Sequence, residues 1–102
     1  MLNFLKKLFG GSSPDYKALM QRGALIVDVR TPAEFSAGHI PGSKNIPLDI
    51  IGTKASELKK SGKPVITVCR SGSRSGMAKS KLGAAGVEVY NGGGWQSLIT
   101  KI

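Results

Sequence analysis

Lys63-Pro-Val-Ile-Thr-Val-Cys69-Arg-Ser-Gly-Ser-Arg74-Ser-Gly-Met-Ala78 runs from an apolar stretch through a polar, glycine-bearing loop into a helical pattern. The run from Val65 to Cys69 reads as a buried strand, alongside Ala24 to Arg30, whose centre is apolar on both faces and suits a parallel sheet better than a strand with a wet side. Open parallel sheets place their ligands at the carboxyl ends of strands, and Cys69 ends this one. Consecutive amides in a tight loop form an anion-binding nest, and the positive end of the following helix adds to the field. A thiol of ordinary pKa about 8.5 drops near cations or a helix N-terminus, so Cys69 is expected to be a thiolate nucleophile. Gly72 lets the loop curl, and Arg70 and Arg74 supply charge for an anionic substrate or brace the loop. A lone cysteine is most often a small buried apolar residue, but a core position is not expected to be followed by Arg70-Ser-Gly-Ser-Arg74.

Upstream, Ser13 and Pro14 read as the N-cap and first residue of a helix carrying Tyr16, Leu19 and Met20 and ended by Gly23. Ala24 to Arg30 is a second buried strand, apolar on both faces at its centre. Thr31-Pro-Ala-Glu34 is a capping box with proline at the first helical position, opening a short helix that carries Phe35 and stops at Gly38. His39 to Gly42 turns the chain, and Lys44 to Pro47 reads as a short edge strand. Asp49 to Lys60 is helical, with Ile51, Ala55 and Leu58 inward and Gly62 closing it.

Downstream, a helix is expected from about Ser75 to Ala84, with Met77, Ala78 and Leu82 as its apolar stripe. Val87 to Tyr90 reads as a strand, Asn91-Gly-Gly-Gly94 as a loop, and Trp95 to Ile99 as a terminal helix. Strands alternating with helices give an α/β domain with a mostly parallel sheet.

The chain has 102 residues, enough for one domain with a real core. Its single cysteine excludes an internal disulfide, and one Cys with one His cannot assemble a usual zinc site. Six acidic residues without EF-hand spacing argue against calcium, so no metal and no cofactor are expected. The net charge of +9 fits small anionic substrates, nucleic acid or an acidic membrane surface. Eleven of the fifteen basic residues are lysines, scattered in runs of two at most, and without a recognition motif or aromatic platform nucleic acid is not the expected partner.

Residues 1–12 differ from the domain expected over 13–102. Met1, Phe4, Leu5 and Leu8 fall at helical spacing, with Lys6 and Lys7 opposite. An interfacial helix touching a membrane through residues 1–10, a segment packed on the domain or on a second copy, and the remnant of a processed signal all stay open. An unpaired reactive thiol suits the cytoplasm.

Cys69-Arg-Ser-Gly-Ser-Arg74 resembles the active-site loop of the rhodanese sulfurtransferases, Cys-Arg-x-Gly-x-Arg. The likeness extends, in the family's order, to Leu25 through Arg30, Glu34-Phe35, Gly38 through Pro47, and Gly92 through Trp95. It implies a three-layer domain with a mostly parallel central sheet flanked by helices. It further implies that Cys69 carries a persulfide taken from thiosulfate or another persulfide and passed to cyanide or a thiol. In that scheme Arg70, Ser71, Gly72, Ser73 and Arg74 bind the substrate. Arg70 steers the anionic donor and Arg74 mainly braces the loop. Asp28 and Arg30 brace neighbouring loops by hydrogen bonds, and Trp95 forms core or pocket wall.

Other cysteine and phosphate chemistries fit the sequence less well. The lysine-bearing phosphate loop is absent, and a Cys–His hydrolase would need His39, which reads as a turn residue. The related phosphatase and arsenate-reductase loops hold one residue more between cysteine and arginine than the four found here. A sulfur carrier or regulatory module acting with a sulfur-relay protein is the alternative from a different class.

Overall fold

The computed structural model describes residues 14–102, and the expectations for residues 1–12 and for Ser13 lie outside them. Within it the buried strand β3 (Val65–Cys69) has β1 (Leu25–Asp28) on one side and β4 (Val89–Gly94) on the other, and β2 (Lys44–Asn45) lies outside β1. All three pairings are parallel, so the sheet is parallel throughout.

The two-residue period of a strand sorts β3 into two cores. Val65 and Cys69 enter a cluster with Val27, Ile51, Ala55, Leu58, Ala78 and Leu82. That layer belongs to helices α3 (Ile51–Lys60) and α4 (Ser73–Ala84). Ile66 and Val68 point the other way, into Tyr16, Leu19, Ile26, Ile40 and Leu98. This second layer is built by α1 (Tyr16–Gln21) and α5 (Trp95–Leu98). The three layers expected from the resemblance are therefore present, and β3 is buried along its whole length by cover on both faces, with the hydroxyl of its central Thr67 satisfied by the Ser75 carbonyl at 2.9 Å.

Helix α2 (Pro32–Ala37) buries no residue, and its start is fixed by local bonding instead. The Thr31 hydroxyl accepts from the Glu34 amide at 3.2 Å, and the Glu34 carboxylate accepts from the Thr31 amide at 3.1 Å. The reciprocal pair satisfies two otherwise orphaned donors.

Helix ends follow glycine. Gly23, Gly62 and Gly86 take φ of +82°, +68° and +89° at the turns from α1, α3 and α4 into the next strands. After α4, Gly86 N–H donates to the Gly83 carbonyl and Val87 N–H to that of Leu82, which closes the helix in a Schellman motif.

Four local expectations are corrected. The first helix starts at Tyr16, not at Pro14, because the Asp15 carboxylate caps it by accepting from Ala18 N–H at 3.1 Å. The predicted start at Asp49 is a 3₁₀ turn, Leu48–Ile50, leading into α3. Met77 is 49% exposed, and Ser75 replaces it on the buried face of α4 beside Ala78 and Leu82. The segment 91–94, expected as a loop, is the second half of β4. Thr67 pairs with Asn91 but Val68 with Gly93, leaving Gly92 as the extra residue of a bulge. A Cβ at Gly92 would lie 2.8 Å from Ile66 Cγ2 and 2.9 Å from the Thr67 carbonyl, so only glycine lets β4 lie this close to β3.

Candidate active site

The carboxyl ends of β1, β3 and β4 lie side by side, and the residues singled out from the sequence gather there. Cys69 closes β3 with its side chain buried, 1% exposed. The loop then reverses through Gly72, whose φ of +106° strains any residue with a Cβ. α4 begins at Ser73 with no side-chain cap, which leaves its first amides directed at the loop.

The sulfur is the focus of these donors. Gly72 N–H donates to Cys69 Sγ at 3.0 Å, and Ser75 Oγ lies 3.3 Å away. Burial is the largest influence on the thiol and pushes its pKa up. The Ser75 hydroxyl and the amides of Ser75, Gly72 and Ser71 pull it down, and together they outweigh burial, so the thiol lies below its ordinary value. The direction is the one expected from the sequence, but the cause is hydrogen bonding to the sulfur rather than arginine charge.

The two loop arginines are placed differently. Arg74 makes a two-pronged bond to Glu34, at 2.6 and 3.0 Å, joining α4 to α2. The guanidinium holds the Glu34 carboxyl down to about 2, with the Thr31 amide contributing. Arg70 is exposed, and no ion pair among the described residues engages it. Ser71 and Ser73 are exposed on the loop.

Asp28 and Arg30 form a buried pair at the end of β1, with Arg30 Nη2 2.7 Å from Asp28 Oδ2. Arg30 also donates to the carbonyls of Glu34 and Gly38, and its guanidinium lies 5.0 Å from the Trp95 ring centre. Trp95 packs with the α1–α5 core and closes over Gly38, where a Cβ would lie 3.3 Å from the ring. His39 stacks on Phe35 and its Nδ1 lies 2.7 Å from the Phe35 carbonyl, which suits the turn role read from the sequence.

Two residues escaped the sequence reading as site residues. Ser75 was taken only as the start of a helix, yet its side chain is buried against the sulfur. Asn91 was read as a loop residue, yet it bonds to Ser75 Oγ, the Gly72 carbonyl and the Gly93 amide. A polar residue ending the apolar half of a strand, followed by glycines, was the available signal.

A cavity of about 620 Å³ opens beside the site, with Thr31, Pro47, Leu48, Ile50, Arg74 and Lys81 in its wall. Cys69 does not line it. Among the described residues no group of three His, Cys, Asp or Glu side chains is placed to hold a metal, and no helix is long and apolar enough to cross a membrane.

The family described as Rhodanese-like domain matches residues 12–99. The uncharacterized protein YqhL of Bacillus subtilis is 42% identical over 71 residues, 69% of this chain and 56% of its own length. A protein of Allochromatium vinosum named sulfurtransferase is 42% identical over 66 residues, 60% of this chain and 61% of its own. The chain thus spans little more than half the length of these relatives. A crystal structure of a rhodanese-related protein from Thermoplasma volcanium superposes with a TM-score of 0.71 at 31% identity, covering 84% of this chain and 85% of that one.

Proposed function

This chain belongs to the rhodanese-like domain family, and from that premise we propose that it is a sulfurtransferase working through a persulfide on Cys69. The observation that carries the proposal is the buried Cys69 sulfur at a strand end with the Gly72 amide aimed at it from 3.0 Å.

In the first displacement the Cys69 thiolate attacks the outer sulfur of thiosulfate. A new S–S bond forms, the old one breaks, and sulfite leaves with the electron pair. In the second, cyanide or a thiolate attacks the outer sulfur of the persulfide and the Cys69 thiolate departs. The enzyme returns to its starting state with no net change of oxidation level, so the cycle calls for no redox cofactor. Dividing the transfer in two is ordinary covalent catalysis.

The loop residues take distinct parts. The amides of Ser71, Gly72 and Ser75 act on the resting sulfur, and the loop from Arg70 to Arg74 holds the charge of the terminal persulfide, with the curl at Gly72 shaping it. Arg70 is exposed and draws the anionic donor, while Arg74 is committed to Glu34 and holds the loop to α2. Asp28 and Arg30 fix the neighbouring loop through the bonds to Glu34 and Gly38, and Trp95 forms its wall.

Intact-mass measurement tests the proposal. Thiosulfate is expected to add one sulfur to the protein, cyanide to remove it, and Cys69→Ser never to acquire it. A chain that takes no sulfur from thiosulfate or from a low-molecular-weight persulfide would overturn it. A sulfur-carrier role is favoured instead if sulfur is acquired but released only to a partner protein.

A further inference from the structure

We propose that Asn91 is a positioning residue that holds the Ser75 hydroxyl proton away from Cys69 in the resting site and yields it to the sulfur when Cys69 ionises. The inference rests on Cys69 as the reactive residue.

A serine hydroxyl has one hydrogen to donate. Ser75 Oγ is 2.7 Å from Asn91 Oδ1 and 3.3 Å from Cys69 Sγ, so one hydrogen faces two acceptors. The orientation of the Asn91 amide is set by two backbone groups that cannot exchange roles. Gly93 N–H must meet an acceptor, and it lies 2.9 Å from Oδ1; the Gly72 carbonyl must meet a donor, and it lies 3.2 Å from Nδ2. Oδ1 therefore faces Ser75, and Ser75 donates to it.

Cys69 is then left as the donor to Ser75 while it is a neutral thiol. The bonds close into a ring that runs in one direction. The thiol donates to Ser75, Ser75 to Asn91, Asn91 to the Gly72 carbonyl, and the Gly72 amide back to the sulfur. Loss of the thiol proton breaks the ring at one link. Ser75 no longer receives a hydrogen from sulfur, and a rotation of its hydroxyl sends its own hydrogen there. Asn91 Oδ1 is not orphaned by that rotation, because Gly93 N–H stays bonded to it. The bulge that brings Gly93 to Asn91 thus supplies the second donor that makes the exchange cheap.

Among the charged groups of this end of the sheet, Arg74, paired with Glu34, is close enough to feel the charge of Cys69; Arg70 follows Cys69 in the loop, and the Asp28–Arg30 pair lies at the end of β1. The face of α3 packed into this core, Ile51, Ala55 and Leu58, carries none. On β4 the ionisable Tyr90 hydroxyl is bonded to Glu88.

The test is the pH dependence of Cys69 alkylation by iodoacetamide in the full chain. Asn91→Ala removes the competing acceptor, and at a pH below the midpoint the reaction is expected to run about fivefold faster, the worth of one neutral hydrogen bond. Asn91→Asp keeps Oδ1, adds charge, and is expected to slow it. In a Ser75→Ala background, Asn91→Ala is expected to give no acceleration. A residue that only supports the loop would move both Asn91 variants the same way, or act equally with and without Ser75, and either result overturns the inference. Asn91→Asp is nearly isosteric and keeps the test if Asn91→Ala does not fold. Alkylation needs no sulfur donor, so a chain that fails to take sulfur yet shows opposite signs for the two variants loses the sulfurtransferase proposal and keeps this one.

Discussion

Arg70 and Arg74 lie four positions apart on one loop and end in different electrical circumstances. The charge of Arg74 is largely spent on Glu34, at 2.6 Å, whereas Arg70 stands in solvent. Iodoacetate and iodoacetamide react alike with sulfur but differ in charge, so their rate ratio reports the field at Cys69. Arg70→Ala is expected to lower that ratio roughly threefold at low salt, with the difference fading as salt screens the pair. Equal loss of both rates would instead assign Arg70 to loop support.

At the scale of elements, the Glu34–Arg74 bond is what joins α2, which buries nothing of its own, to the start of α4. The Glu34 carboxyl is held down to about 2 from 4.5 in the folded chain. A depressed carboxyl pKa stabilises the fold above the unfolded value and loses that contribution as pH falls through the folded one. The melting-temperature difference between the wild type and Glu34→Gln is therefore expected to be constant above about pH 5, to shrink below 4.5, and to vanish only below about 2. Glu88, held down by Arg22, titrates over the same range in both proteins and cancels in the difference. A difference as large at pH 2 as at neutral pH would deny the ion pair its role. The elements themselves were largely legible, because apolar runs, the capping box from Thr31 and the helix-ending glycines each have a local cause. β4 was not, since Asn91 to Gly94 carry every local mark of a loop. Their pairing is imposed by β3, against which Gly92 alone can lie. Met77 is exposed for a related reason: the buried face of α4 is set by polar bonds at Ser75, whose hydroxyl meets the sulfur and Asn91 and whose carbonyl accepts from the Thr67 hydroxyl, not by apolar spacing.

For the whole molecule, one sheet divides two cores that share no residue. Leu82 lies fully buried in one and Leu98 in the other. Each Leu→Ala substitution is expected to cost about 2–5 kcal/mol. Both cores lean on β3, so denaturant unfolding of either variant is expected to remain a single transition. Two separated transitions would show that the layers fold independently. The site was legible at this scale to the extent that it depends on strand direction: Cys69 and Asp28 end strands, and Arg30 follows two residues on. Asn91 was hidden because its neighbours Ser75 and Gly72 are 16 and 19 residues away in sequence.

Parallel strands give the molecule a working rim and an idle one. The turns at Gly23, Gly62 and Gly86 all lie at the amino ends of the strands, opposite Cys69. Gly62 has open space where a Cβ would go. A peptide tag or a whole folded domain spliced in after Gly62 should therefore leave thiol reactivity at Cys69 within about twofold of the wild type, since exposed turns tolerate insertion. A large loss of reactivity in a folded fusion would mean that the two rims communicate. If they do not, the idle rim is the natural handle for immobilising the protein or coupling it to other enzymes while its reactive face stays open.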